Sequence, residues 1–180
     1  GENIRATFIC LANSRKKSGR CLAGKASFRG SYTKWIRPIS DREFEELKGN
    51  EFHIHTGEEA KLLDLLEIIL LNHKPKIHQQ ENYLMDVSVP LRKIGTISIE
   101  NLIPLVDQPK DLWGIGHSSR NGMNDYVPKD EMETRIKKRI GTIMLVYPPD
   151  KLDKELSSAK ETFGGMIKMN SMDADSVRRL

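Results

Sequence analysis

FICLANSRKKSGRCLAGKASFRGSYTKWIRPIS, residues 8–40, decides how this 180-residue chain folds. Its apolar residues fall in three short runs, 8–12, 21–23 and 35–39, each the length of a strand and not of a helix. Two loops rich in glycine and serine separate the runs. Lys and Arg stand at 15, 16, 17, 20, 25, 29, 34 and 37, and the whole stretch lacks an acidic residue. The pattern predicts consecutive strands joined by turns that favour an anion.

The charge balance of the rest of the chain sharpens that expectation. Residues 1–37 hold nine Lys/Arg against the single acid Glu2, so 9 − 1 = +8; residues 38–180 hold twenty against twenty-four, so 20 − 24 = −4. A net charge of +4 therefore hides a strongly basic N-terminal fifth. Such asymmetry is the footprint expected when one face meets phosphates. The alternative is a solvated basic edge that discourages strand pairing.

Composition limits the remaining possibilities. A chain of this length suits one domain or two very small ones, and 38% hydrophobic with 30% charged residues is ordinary for a globular protein. The longest apolar run, residues 65–71, is interrupted by Glu67 and is too short to span a bilayer, so no membrane partner is expected. No leader-like segment precedes Ile4, and the default expectation is a cytoplasmic protein. Cys10 and Cys21 lie in neighbouring predicted strands, where a disulfide is geometrically feasible; two free thiols are the expected state in a reducing compartment. No CxxC pair argues for zinc, and His53 with His55 lacks further ligands at suitable spacing, so neither metal nor cofactor is expected.

Along the chain, residues 4–12 read as a strand, 13–19 as a turn, 20–25 as the return strand and 32–39 as a third strand. Ser40 followed by Glu43 is a capping-box pattern that predicts a short helix over 41–47. Residues 51–55 suit a short strand, isoleucines favour a strand over 66–71, and 87–89 suit another before Pro90. Ser98 caps a predicted helix to 106, shortened or kinked by Pro104. Residues 107–127 read as loop, 141–147 as a strand, 152–163 as weakly helical, 166–169 as a strand and 171–180 as a loose tail. Short strands between Gly/Pro turns with brief helices predict a mainly β (β-rich α+β) protein built on small β-barrels.

Several motifs in order resemble the bacterial dual OB-containing domain family. They are FICLANSRKKSGRCLAGK, then WIRPIS, then HQQENYLMD, and later a D-W pair and a GMND loop at residues 122–125. The resemblance spans roughly residues 4–147. It implies two linked OB-like five-stranded barrels and a role in nucleic-acid or nucleotide recognition, in bacterial conflict or phage defence. The expected division is 1–95 for a first OB-like unit carrying the basic loops, and 96–180 for a connecting helix, a loop and a second, divergent and less complete unit. One departure is Tyr126, where the family tends to carry arginine after the aspartate.

The chemistry that these residues could support is recognition rather than a named reaction. Ser14, Arg15, Lys16, Lys17, Ser18, Gly19 and Arg20 could cradle a phosphate, because serine and glycine expose backbone N–H groups and arginine offers a forked donor. No P-loop pattern is present. Phe28, Tyr32 and Trp35 interleave with Lys25, Arg29, Lys34 and Arg37, the combination that a single-strand binder needs for base stacking and backbone neutralisation. Trp35, beside Ile36 and near Pro38, is read as a core residue ahead of a stacking one, since the core is the commoner place for tryptophan, and Phe28 and Tyr32 are the better stacking candidates. His78, Gln79, Gln80, Glu81 and Asn82 gather groups able to read a base edge or a ribose hydroxyl; the competing reading is a buried network in which Arg37 or Arg15 pairs with Glu81. In the GMND loop, Asn124 and Asp125 are further polar contacts. No G-x-S-x-G motif makes a hydrolase of His117, Ser118 and Ser119. The leading expectation is an OB-type module for single-stranded nucleic acid, without assigned catalytic residues. A nucleotide sensor or nucleotide-processing enzyme is the alternative, and an adaptor whose basic stretch meets an acidic protein is a third.

Overall fold

The structure, a computed structural model, describes residues 3–28, 30–76, 79–107, 143–145, 167–170 and 177–179. The chain divides into two compact units, Gly1–Lys76 with Glu81–Asn101, and Ile77–Gln80 with Leu102–Leu180.

In the first unit the strands are β1 (Ile4–Lys16), β2 (Gly19–Ser27), β3 (Lys34–Ile39), β4 (Asp64–His73), β5 (Asn82–Met85) and β6 (Arg92–Thr96). They form one sheet in the order β1-β2-β3-β5-β4-β6, and β4 also pairs with β1, so that five strands close into an OB-like barrel. The β3–β5 ladder is parallel and the others are antiparallel. Closure is possible because β4 is long enough to use one edge for β1 and divide the other, with Asp64–Glu67 facing β6 and the residues from Leu70 facing β5.

Period-two alternation fills the barrel. Ala6, Phe8 and Cys10 from β1, Leu22 and Ala26 from β2, Ile36 from β3, Leu66, Ile68 and Leu70 from β4, and Tyr83 and Met85 from β5 form one buried cluster. Leu47, Ile54, Ala60 and Leu91 join it from the connections. The register slips between Cys10 and Ala12, leaving Leu11 as a bulge that reverses which side chains point inward along the rest of β1. Gly24 lies opposite Cys10, where a Cβ would run into the Ile9 carbonyl oxygen and the Phe8 ring. The opposite strand face is buried as well, through Ile9, Ala23, Lys25, Arg37, Ile39 and Asn82.

Several elements differ from the sequence expectation. β1 continues to Lys16, so the predicted turn over 13–19 shrinks to Lys17 and Ser18. The helix predicted over 41–47 does not form: Glu45 takes a φ of 59°, which a right-handed helix cannot pass through. A 3₁₀ turn at Gly49–Phe52 and the isolated bridge His53↔Glu59 stand where a strand over 51–55 was expected. Residues 87–89 form a turn stapled by Asp86, whose carboxylate accepts the Ser88 N–H at 3.0 Å and its hydroxyl at 2.6 Å. The helix begun by Ser98 is short, α1 (Ile99–Leu102), and passes at Pro104 into a 3₁₀ turn.

In the second unit β7 (Ile143–Leu145), β8 (Ile167–Asn170) and β9 (Val177–Arg179) form an antiparallel meander. The third of these lies within the stretch expected to be a loose tail. The loop predicted over 107–127 lies, beyond Asp107, outside the described residues, as does the weak helix predicted over 152–163. No helix among the described residues is long and apolar enough to cross a membrane.

Candidate nucleic-acid interface

The β1–β2 hairpin keeps its basic residues but divides their work. Lys17 occupies the tight turn with a φ of 52°, exposed, and its ammonium lies 5.0 Å from the centroid of the Phe44 ring. Arg15 is exposed too. Arg20, its cross-strand partner, is used structurally: Nε stands 2.9 Å from Glu59 Oε1, and its backbone N–H and C=O both bond to Leu47. Glu59 also accepts a 2.9 Å bond from Asn13 Nδ2, which the bulge has turned inward. A Cβ at Gly19 would strike the Leu47 carbonyl, so the hairpin base is packed rather than open to an oxyanion.

Lys16 and Ser14 face the other way and are half-buried. Burial holds the Lys16 ammonium below its ordinary pKa, with Cys21, Arg37, Glu45 and Lys76 as its charged or ionisable neighbours. The hairpin and the segment entering β5 thus converge near Arg37. Two carboxylates answer the cations there: Lys76 Nζ is 2.8 Å from Glu45 Oε1, and Arg37 Nη2 is 2.8 Å from Glu81 Oε1.

On the outward face of β2 and β3 the fold removes two members of the basic set from solvent. Lys25 and Arg37 are buried. Trp35 is half-buried and outside the core, because alternation gives the core position to Ile36 and places Trp35 opposite Lys25, whose Nζ lies 5.6 Å from the indole centroid. Arg37 bonds through its backbone N–H to the Glu81 carbonyl at 2.8 Å and aligns with Asn82 in the parallel ladder. Of the expected recognition group, Glu81 and Asn82 are therefore buried within the first unit. In the second, Gln79 is buried and Gln80 exposed. Arg29, His78, Asn124 and Asp125 fall outside the described residues.

One accessible aromatic ring lies where β2 ends and β3 begins. Phe28 is 37% exposed, and its ring centroid lies 6.2 Å from that of Tyr83. Tyr83 in turn stacks on its cross-strand partner His73 at 4.6 Å. Lys34 Nζ sits 5.0 Å from the Tyr83 centroid and 5.6 Å from the Phe28 centroid. Ser27 Oγ accepts the Gly30 N–H at 2.6 Å and fixes the turn that projects Phe28, while Tyr32 is half-buried in the same connection. The result is a short ladder of rings with a cation across its face and an accessible end.

The closed barrel, in β1-β2-β3-β5-β4 order, carries the described motif residues on β1, β2, β3 and β5. The model of the dual OB-containing domain family matches residues 6–164. The chain belongs to that family. Searches among curated proteins and among solved structures gave no match.

For a dual OB-containing domain, the informative residues that sequence inspection passed over are Phe44, His73, Lys76 and Tyr83. Phe44 was hidden by the capping-box pattern around it. His73 and Tyr83 meet only through the β4–β5 ladder, and their spacing in sequence gives no sign of it. His53, considered as a metal ligand, places Nδ1 2.8 Å from the Gly49 carbonyl oxygen and its ring against Phe52.

Proposed function

We propose that this OB-type module binds single-stranded nucleic acid, with Phe28 as the platform for an unstacked base and Lys34 beside it for the backbone. One observation carries the reading: the Phe28–Tyr83–His73 ladder ends in an exposed ring and has a lysine ammonium lying over two of its members. The exposed part of the Phe28 ring gains nothing for folding, whereas base–aromatic stacking is worth ~1–3 kcal/mol per base and tolerates any sequence. Stacking needs an unpaired base, which favours single strands over duplex. Arg15 and Lys17 add exposed positive charge on the same unit.

A small-nucleotide sensor would instead use the convergence of Lys16, Arg37 and Lys76. Glu45 and Glu81 already pair with two of those three cations, which leaves little net attraction for a phosphate. The polymer reading is the better supported.

The test is an equilibrium titration of the whole chain against labelled single-stranded DNA and RNA at increasing salt. Binding that weakens linearly on a log–log plot, through release of counterions from the phosphates, is the expected result. Absence of binding to either polymer at low salt would refute it.

A further inference from the structure

We propose that Phe44 and Lys17 form a second base-stacking site, separate from Phe28. The inference rests on the reading that the chain takes single-stranded nucleic acid, and it locates a site on the connection between β3 and β4.

The two ends of β3 carry the same device. At its start, Lys34 lies over the exposed Phe28 ring; past its end, Lys17 lies over Phe44, which is 45% exposed, at 5.0 Å. β3, six residues and about 20 Å long with Lys34 as its first, leads from one couple towards the other. Residues 36–40 between them are buried, so the two rings serve separate strands or separate segments of one strand rather than a continuous strip.

Phe44 is held out, not left loose. Arg42 grips Glu51 through Nη1–Oε2 at 2.6 Å and Nη2–Oε1 at 2.5 Å. Ser40 Oγ donates to the Glu46 carbonyl at 2.6 Å, and Lys76 reaches Glu45 at 2.8 Å. Glu45, adjacent to Phe44, is fixed in the left-handed region at a φ of 59°, as is Lys17 across from it at 52°. Strain of this kind persists only where the surroundings over-determine it. Here the tethers, the strain and the exposed ring coincide with an ammonium on the ring face.

Charge fixes the direction of approach. Asp41 and Glu43 are exposed on the Phe44 loop and repel phosphate from that side. Arg15 and Lys17 are exposed on the hairpin. A base therefore meets Phe44 with its backbone running along the hairpin.

The experiment is an NMR titration of the whole chain with a short single-stranded oligonucleotide, an oligothymidylate trinucleotide, on wild type and on Phe28→Ala, Phe44→Ala and Lys17→Glu. Two separate groups of shifting amide signals are expected. Phe44→Ala weakens the group near residues 15–20 and 41–48 by about tenfold or more, in line with the loss of one stacked base, and leaves the Phe28 group intact. Lys17→Glu acts as Phe44→Ala does. Both changed residues lie at the surface, so each variant is expected to remain folded, with at most a small drop in melting temperature. A single group of shifts around Phe28, or an unaltered second group in Phe44→Ala, overturns this inference while the Phe28 site stands. No shifts in any variant overturn both.

Discussion

Arg37 Nη2 stands 2.8 Å from Glu81 Oε1, with side-chain exposures of 2% and 4%. The pair fixes the parallel β3–β5 ladder at Glu81, the residue before β5 begins, and Tyr83, the middle ring of the aromatic ladder, follows two positions after Glu81. Removing one partner strands the other charge in a buried site. Arg37→Met is therefore expected to cost about 3–5 kcal/mol in denaturant unfolding. The double change Arg37→Met with Glu81→Leu should recover most of that loss, because no bare charge remains. A double variant as unstable as the single one would contradict this account of the pair.

Acid sensitivity is expected from the Arg42–Glu51 clamp. The Arg42 guanidinium holds the Glu51 carboxyl below its ordinary value of 4.5. A depressed folded-state pKa means that the stabilisation is complete above about 4.5 and is lost as pH falls through the lower, folded value. Arg42 is 36% exposed, so the contribution is about 1 kcal/mol. Arg42→Gln should lower stability at neutral pH by that amount and flatten this part of the profile below pH 4.5, as measured by thermal melts across the acid range. An unchanged profile would refute the assignment.

The two cysteines should differ sharply towards thiol reagents. Cys10 lies inside the barrel, and burial pushes its pKa from 9.0 up to about 12. Cys21, past the bulge, faces the other way and is half-buried; both thiols are free. At pH 8 in the folded state Cys21 is the residue expected to label, with Cys10 following only after denaturation. Because the folded barrel retains a proton that the unfolded chain releases above about 9, Cys10 also works against folding as pH rises through that value. Mass spectrometry of alkylated peptides decides the matter, and rapid labelling of Cys10 in the native protein would contradict the inward placement.

Gly24 tests how tightly the barrel closes. Its missing side chain lets β1 and β2 approach where a Cβ would enter the space of the Ile9 carbonyl and the Phe8 ring. Gly24→Ala should destabilise the protein by about 3 kcal/mol, from overpacking and ladder distortion together. A near-neutral variant would show that the strands have room to part.

The barrel itself was legible in the sequence because strand period and turn residues are local signals. LLEIILL alternates cleanly once β4 is seen to bury one face, and WIRPI forms β3, which runs through Pro38 to Ile39. The hairpin length was not legible, since a bulge at Leu11 leaves no mark in composition yet reverses the facing of Asn13 and everything after it. The helix over 41–47 failed for a related reason. Ser40 does accept the Arg42 N–H, at 3.5 Å, but its hydroxyl is committed to Glu46 and Glu45 turns left-handed. The basic face was legible as charge but not as surface. Lys25 and Arg37 have the same side-chain chemistry as Lys34 and Arg15, and only burial separates them. The pairing of Arg37 with Glu81, weighed as an alternative to base recognition, is what the structure shows.

The exposed Phe28 ring under Lys34 is the centre of the functional reading, and one measurement meets it directly. Fluorescence anisotropy of a labelled single-stranded oligonucleotide at low salt would compare wild type, Phe28→Ala and Phe28→Trp. Phe28→Ala is predicted to lose ~1–3 kcal/mol of affinity while remaining folded at the temperature of the titration, and Phe28→Trp to retain it, since an indole also stacks. Wild-type affinity in Phe28→Ala would contradict the account.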